Sequence, residues 1–483
     1  MLDVSPLQKK RLEYQPVVPA ILRDLKNVAF RASGKKGGEG LKKVFPRTFD
    51  QEMYRVERGR GKAWGALKVG VVFSGGQASG GHNVVAAIYD AVGDGEVIGF
   101  LGGPSGIVEG KSKRIGKEIE GYRNQGGFDL LGSGRTKIET AEQLEASRET
   151  CERLGLDGLV VVGGDDSNTN AAILAEYFLE KGCGTRVIGV PKTIDGDLRG
   201  EGIEISFGFD TACKTYSEII GNIARDAISA KKYYHFIKLM GRSASHITLE
   251  CARATRPNLA LIGEERKGLE TIVTEVADLI CRRKEAGKEY GVILVPEGLI
   301  EFIPEGKLPE KIQKLLVDRD PHGNVQLSSI QTEQLLIDLV TEEMKSRGGK
   351  FSAQGHFLGY EGRACMPTNF DANYCYALGL LAALCVREGL TGMICAIQNL
   401  KRPAEEWELK AVPIVNLIHF EMRKGKEKPV IQKALVDIKQ GPFVYFSRHR
   451  KAWEIEDHYR YPGPIQFFGD RELTDSIPIT LMG

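Results

Sequence analysis

Three short segments of this 483-residue chain set carboxylates, cations and glycines side by side in patterns suited to phosphate chemistry. In PKTIDGDL (191–198), Asp195 and Asp197 flank Gly196, with Lys192 and Thr193 just before them. One such carboxylate can act as general base while the second orients it or holds metal-bound water. Lys192 adds a positive point charge for a phosphate. In GGDDSNTN (163–170), Gly163 and Gly164 remove side-chain bulk from a turn that leads into Asp165 and Asp166. A single aspartate there would read as a helix cap. Two adjacent ones suit Mg²⁺ and polyphosphate, because magnesium prefers oxygen ligands. In SGGQASGGHN (74–83), Gly75 and Gly76 free backbone amides to approach an anion, and a following helix start favours negative charge. That segment is neither a dinucleotide fingerprint nor a P-loop. GIVEGKS (106–112) has three residues between its glycines where a P-loop needs four, so it is rejected.

Each segment must be held by the element before it. KVGVVF (68–73), EVIGFL (96–101), LVVVGG (159–164) and RVIGVP (186–191) are continuous apolar runs ending in Gly, Pro or a turn. A second series follows, with HFIKLMG (235–241), NLALIGEE (258–265) and GVILVPEG (291–298). Continuous rather than alternating apolar strands imply a parallel sheet buried on both faces. Helical stretches such as 211–230 and 269–283 separate them. The expected fold is α/β, with two Rossmann-like lobes of parallel-rich sheet facing one cleft, and ligands at the carboxyl ends of the strands. Residues 1–67 read as a basic extended or helical arm, and 301–349 as a helical insertion.

The 58 glycines, 12% of the chain, have no three-residue period and do not travel with the 19 prolines, which excludes collagen-like and linker architectures. The nine cysteines form no CxxC pair and read as buried thiols of a reducing compartment. The longest apolar run, 374–386, is too short to span a bilayer, and the N-terminus has no apolar signal core, so a cytoplasmic protein without membrane contact is expected. Net charge is +2, but residues 1–67 carry 15 Lys/Arg against 7 Asp/Glu. That arm has no basic–aromatic interleaving, so a solvated or subunit-contacting role is expected rather than nucleic-acid binding.

Taken in order, SGG (74–76), GSGRTK (132–137), GGDDS (163–167), PKTIDGD (191–197), MGR (240–242), PEG (296–298) and GYEGR (359–363) resemble the phosphofructokinase family. The likeness is strongest to its pyrophosphate-using, plant-type catalytic (beta) chains, and PGPIQF (462–467) resembles the family's long members. The resemblance implies transfer of a phosphoryl group from pyrophosphate to the 1-hydroxyl of fructose 6-phosphate, giving fructose 1,6-bisphosphate and phosphate, with Mg²⁺. It implies a donor lobe from 68–206 with about 360–412. The sugar-phosphate lobe would be 207–300 with about 350–359 and 413–483.

Position by position, the resemblance makes Asp195 the base, with Asp197 beside it and Asp165 the metal-associated aspartate. Gly75, Gly76, Arg135, Asp166 and Lys192 would meet pyrophosphate. Thr193, Met240, Gly241, Arg242, Glu297, Tyr360 and Arg363 would meet fructose 6-phosphate, and Arg242 and Lys192 would also offset charge on the transferring group. ATP-using members have glycine in place of both Asp166 and Lys192. A carboxylate at Asp166 would repel a nucleotide's α-phosphate, so pyrophosphate is the expected donor. The family has an arginine where this chain has Tyr233, and Lys231 or Lys232 is the candidate substitute.

The alternatives are an ATP-dependent phosphofructokinase and a non-catalytic regulatory chain. The second predicts loss of the aspartates, and Asp165, Asp195 and Asp197 are all present. The resemblance also implies a homo-oligomer, or a hetero-oligomer with a regulatory alpha chain, and a fructose 2,6-bisphosphate effector whose site no residue marks. His82, His246 and His356 are read as packing or capping residues.

Overall fold

The computed structural model describes residues 4–35, 39–200, 202–304, 330–423 and 426–482. The strands, in chain order, are β1 (Val28–Lys35), β2 (Glu52–Arg58), β3 (Lys68–Phe73), β4 (Glu96–Phe100), β5 (Ser112–Ile115), β6 (Gly158–Gly163), β7 (Arg186–Pro191), β8 (Tyr234–Leu239), β9 (Leu259–Ala260), β10 (Gly291–Pro296), β11 (Ala353–Leu358), β12 (Met393–Gln398), β13 (Glu408–Pro413), β14 (Ile418–Arg423) and β15 (Lys426–Ile431). Nine of them form one sheet in the order β1-β2-β13-β12-β7-β6-β3-β4-β5. Its centre, β12 through β4, is parallel, and the flanking strands are antiparallel. Every residue of β6 is buried, as its unbroken apolar run requires. A second sheet, β11-β8-β10-β9, is parallel throughout.

This topology places the chemistry. In the large sheet the chain runs from β3 outward to β4 on one side and returns to β6 on the other. The β3–β6 boundary is therefore a topological switch point, where the loops leaving two adjacent strands diverge and open a crevice. Those loops are 74–76 and 163–166. The loop after β7 is 192–197, directly beside them. In the second sheet, parallel strands bring Met240–Arg242, Glu297–Gly298 and Gly359–Tyr360 to one edge, after β8, β10 and β11.

Residues 1–67 differ from the expected arm. Strands β1 and β2 extend the large sheet past β13, and the buried Arg11 donates to Asn369 Oδ1 at 2.7 Å and to the Pro367 carbonyl at 2.8 Å. The Arg11 guanidinium also lies 4.5 Å from the Phe467 ring centroid, so the PGPIQF segment packs on the N-terminal stretch. Strand β2, EMYRVER, has one buried residue and charges between apolar ones, which hides it from a search for continuous apolar runs.

Of the 301–349 segment, the helix Thr332–Ser346 appears as expected, and 305–329 lies outside the described residues. The C-terminal stretch divides between the two sheets. Ile431 of the β14–β15 hairpin donates to Thr169 Oγ1 of the helix Asp165–Glu180, whereas the helix Gly441–Ile455 packs on helices of the second sheet.

Candidate active site

The three glycine-rich loops of the large sheet are stitched together by hydrogen bonds. Ser167 Oγ donates to Ser74 Oγ at 2.7 Å, the Lys192 amide to the Gly163 carbonyl at 2.9 Å, and the Gly75 amide to the Gly134 carbonyl at 2.8 Å. Gly75 has φ +89°, and a Cβ there would lie 3.3 Å from Lys192 Nζ. Glycine is thus what lets the backbone turn and lets the ammonium lie against it. Gly80 and Gly81, in the same segment, do different work. A Cβ on either would run into Cys375 or Phe128, so they serve helix packing rather than anion binding.

The 102–106 glycines acquire a role in positioning. A Cβ on Gly103 would overlap the Gly134 backbone nitrogen, so the bare backbone lets Ser133–Gly134 pass and sets Arg135 beside the cleft.

Cations collect on this side. Lys192 is 5% exposed, and its pKa is lowered to about 8, first by burial and then by Arg363, with Arg135 acting the same way and Asp195 and Asp165 opposing. Arg363, the expected sugar-phosphate contact, donates to Gln77 Oε1 at 2.5 Å, and a Cβ on Gly76 would lie 2.5 Å from its Nη2. Its guanidinium is 5.0 Å from the exposed Tyr360 ring centroid. Gln77, which no motif marks, thus joins the site through that bond.

Carboxylates collect opposite. Asp165 and Asp166 occupy the first turn of the helix Asp165–Glu180, whose N-cap is Gly164. They complement the helix dipole without capping it. The Asp195 amide donates to Thr193 Oγ1 at 3.1 Å, which folds the loop back on itself. Asp197 is buried, and its pKa is raised to about 7 by desolvation, then by Asp195 and Asp165, with Lys433 opposing. Glu297, 3% exposed, is likewise raised to about 7 by desolvation and Asp195, with Arg242 and Lys238 opposing. Gly241 has φ +120° and accepts from the Gly298 amide at 3.2 Å, which locks the 240–242 and 296–298 loops together, while Met240 lies beneath at 9% exposure.

Lys433 is a site cation that sequence reasoning missed. Its Nζ donates to Ser243 Oγ at 2.7 Å and lies 3.9 Å from Asp165 Oδ2. Burial works against its charge, but Asp165, Asp197 and Asp166 hold its pKa above the usual lysine value, with Arg242 opposing.

Tyr233, Lys231 and Lys232 do not reach this cluster. They are exposed at the amino end of β8, seven to nine residues and roughly 20 Å or more from Met240. Within one chain, neither lysine substitutes for the absent arginine. His82, His246 and His356 are all held in structural contacts. His246 Nε2 pairs with the Ala434 carbonyl at 2.8 Å, His356 Nε2 with His235 Nδ1 at 2.9 Å, and His82 stacks edge-on between Phe73 and Tyr122.

Among the described residues, no group of three or more His, Cys, Asp or Glu is arranged to hold a metal. Magnesium usually takes one or two carboxylates and completes its shell with water and substrate phosphate. The oxygen donors at the head of the Asp165–Glu180 helix fit that mode.

The raised Asp197 pKa has a stability consequence. A carboxyl that holds its proton in the fold but not in the unfolded chain loses stabilisation as pH climbs from ~4 to its folded value, and the loss is complete above it. Asp197→Asn is therefore expected to raise the thermal midpoint by a few degrees at pH 8, with the gain vanishing near pH 4, while turnover falls. Melting curves across pH check it.

A two-lobed α/β molecule whose switch-point loops converge on facing sets of cations and carboxylates has the architecture of a phosphoryl-transfer enzyme. The chain belongs to the phosphofructokinase family, whose model matches residues 68–386. It is 46% identical to a pyrophosphate–fructose 6-phosphate 1-phosphotransferase of Treponema pallidum, over 99% of this chain and 97% of that one. It is 45% identical to the subunit beta 1 of that enzyme from Arabidopsis thaliana, over 99% and 94%. To the same plant's subunit alpha 2 it is 37% identical, over 97% and 87%. A solved structure named as a pyrophosphate-dependent phosphofructokinase, from Nitrosospira multiformis, matches the fold with TM-score 0.60 at 18% identity, covering 86% of this chain and 96% of that one. Family members are phosphoryl-transfer enzymes that use a divalent metal. No described helix is long and apolar enough to cross a membrane.

Proposed function

We propose that the chain transfers a phosphoryl group from pyrophosphate to the 1-hydroxyl of fructose 6-phosphate, reversibly and with Mg²⁺. The observation that carries this reading is the convergence of buried Lys192 with Arg135 and Arg363 on the Gly75–Gly76 loop, opposite Asp165 and Asp166. Arg363 and Arg135 both press down on Lys192, and a small polyanion between them would relieve that repulsion. Pyrophosphate has no adenosine handle and must gain all its binding from such charges.

Asp195 takes the proton from the 1-hydroxyl, and the sugar oxygen forms a bond to the nearer phosphorus as the bridging P–O bond breaks. The electron pair leaves with orthophosphate. Asp165 would hold magnesium together with the donor, and the metal would supply positive charge to offset the phosphates. Lys192, Arg242 and the Gly75–Gly76 amides aim fixed positive charge at the transferring group, the form of stabilisation that dominates phosphoryl transfer. Asp197 orients Asp195. Glu297, Met240, Gly241, Thr193 and Tyr360 frame the sugar, and Arg363 contacts phosphate at the seam between the lobes.

The chain works as a homo-oligomer or with an alpha-type partner, in a cytoplasmic setting consistent with nine unpaired cysteines, seven of them buried. Assay of the purified chain with pyrophosphate and with ATP tests the reading. Turnover with pyrophosphate is expected, and ATP use without it refutes the donor assignment.

The depressed Lys192 pKa predicts an alkaline limb. The free enzyme loses this positive charge as pH rises through about 8, so kcat/KM for pyrophosphate falls about tenfold per unit above that point. In Lys192→Arg the guanidinium stays charged and the limb moves out of range. Rate profiles in pH for both proteins check it.

A further inference from the structure

The segment between the β14–β15 hairpin and the helix Gly441–Ile455 runs as a strap over the cleft. Ile431 donates to Thr169 Oγ1 on the donor side at 3.2 Å. The Ala434 amide donates to the Asp197 carbonyl at 2.7 Å, and the Ala434 carbonyl accepts from His246 at 2.8 Å. The Val436 amide donates to Glu264 Oε1 at 3.0 Å, and that same oxygen accepts from the Ser245 amide at 3.0 Å. Within six residues the strap is pinned to the donor helix, the 192–197 loop and the acceptor loops of the second sheet. A surface loop that merely connected two elements would not need anchors on both sides of a cleft.

Lys433 is the side chain this strap delivers. Its ammonium donates to Ser243 Oγ, the residue directly after Arg242, and stands 3.9 Å from Asp165, beyond hydrogen-bond distance. An ammonium has three donors, so the Ser243 contact leaves capacity for phosphate oxygens. The position is between the donor carboxylates and the Arg242–Ser243 loop, which is where a phosphoryl group passing from one lobe to the other must travel.

We propose that Lys433 is a catalytic cation of the phosphoryl transfer, which the C-terminal strap places on the side of the transferring group opposite Lys192. Lys433 keeps its proton throughout. The sugar oxygen-to-phosphorus bond forms, the bridging P–O bond breaks, the hydroxyl proton goes to Asp195 and the electron pair leaves with orthophosphate. Lys433 stabilises the equatorial charge during that exchange, while Lys192 holds the donor from the glycine-loop side.

This inference rests on the phosphoryl-transfer reading, so the wild-type chain is assayed first. Absence of pyrophosphate-dependent turnover in the wild type sinks that reading, and the inference with it. With an active wild type, Lys433→Met is expected to lose about a hundredfold in kcat, the scale for removing one transition-state donor, with KM for fructose 6-phosphate changed less than threefold. Binding of magnesium imidodiphosphate, followed by calorimetry without sugar, should weaken about tenfold. Lys433→Arg should recover at least tenfold of the lost turnover. A merely structural strap predicts unchanged kcat in the folded variant and no rescue by arginine, and a kcat for Lys433→Met within threefold of wild type overturns the proposal. Should Lys433→Met fail to fold, Ser243→Ala keeps the lysine and removes its anchor. It is expected to lose about tenfold in kcat, and unchanged kcat and analogue binding there overturn the proposal equally.

Discussion

Asp195→Ala is expected to lose about 10³-fold to 10⁴-fold in turnover, the upper range for deleting a positioned general base, while fructose 6-phosphate still binds. The Asp195 backbone is fixed by the bond to Thr193 Oγ1, so the variant removes the carboxylate and leaves the loop in place. Its charge is also felt by its neighbours, because Asp195 is among the groups that raise both Asp197 and Glu297. Deleting it should let those two carboxyls ionise at lower pH, so the acid limb of the residual activity moves down. Calorimetry with fructose 6-phosphate and steady-state rates across pH separate the two effects. Retention of more than a tenth of wild-type turnover would reassign the base. Glu297 is the next candidate, since it is buried in the same cluster with a pKa near 7.

Much of this cluster is legible in the sequence because parallel strands leave a distinctive signal. Buried on both faces, β3, β6, β7 and β10 are nearly unbroken apolar runs, and a glycine or proline at or just past each carboxyl end marks where the backbone turns toward ligand. Strand β1 is the edge of the large sheet and β2 lies next to it, each with a largely unburied face, so their charges read as a basic arm. Glycine spacing also does not distinguish a backbone that meets phosphate from one that meets another helix. Gly75 and Gly80 lie in one segment, yet the first touches Lys192 and the second faces Cys375.

Charge direction is the other property that a linear reading does not carry. Arg363 follows the acceptor lobe's last strand in sequence, but its length lets it reach Gln77 across the seam. Lys433 comes from a stretch with no strand-end glycine, and only the hydrogen bonds that fasten the strap at Thr169, Asp197 and Glu264 bring it to Asp165. A site built from two lobes is completed by whichever long side chains cross between them. Such side chains have no sequence motif, because their targets are set by tertiary contact rather than by local spacing.

The donor preference gives the other large effect. On the proposed reading Asp166 and Lys192 would act in opposite senses, one excluding the longer donor and the other holding the shorter. Like charges at about 4 Å repel by roughly 4 kcal/mol at an effective dielectric of 20, close to a thousandfold in affinity. Asp166→Gly is therefore expected to raise kcat/KM for ATP by up to about 10³-fold. Glycine in the first turn costs the Asp165–Glu180 helix at most about 1 kcal/mol, visible as a lowered thermal midpoint rather than as lost donor use. Lys192→Met is expected to lose about 10²-fold to 10³-fold in kcat/KM for pyrophosphate with no gain for ATP, since it removes attraction without removing repulsion. Combining glycine at both positions should bring the two donors closest to parity. If Asp166→Gly yields no ATP use while Lys192→Met still loses pyrophosphate, charge at the helix head does not set the donor. The exclusion would then be steric, and the next residues to vary are those lining the path beyond Gly103 and Arg135, where an adenosine would have to lie.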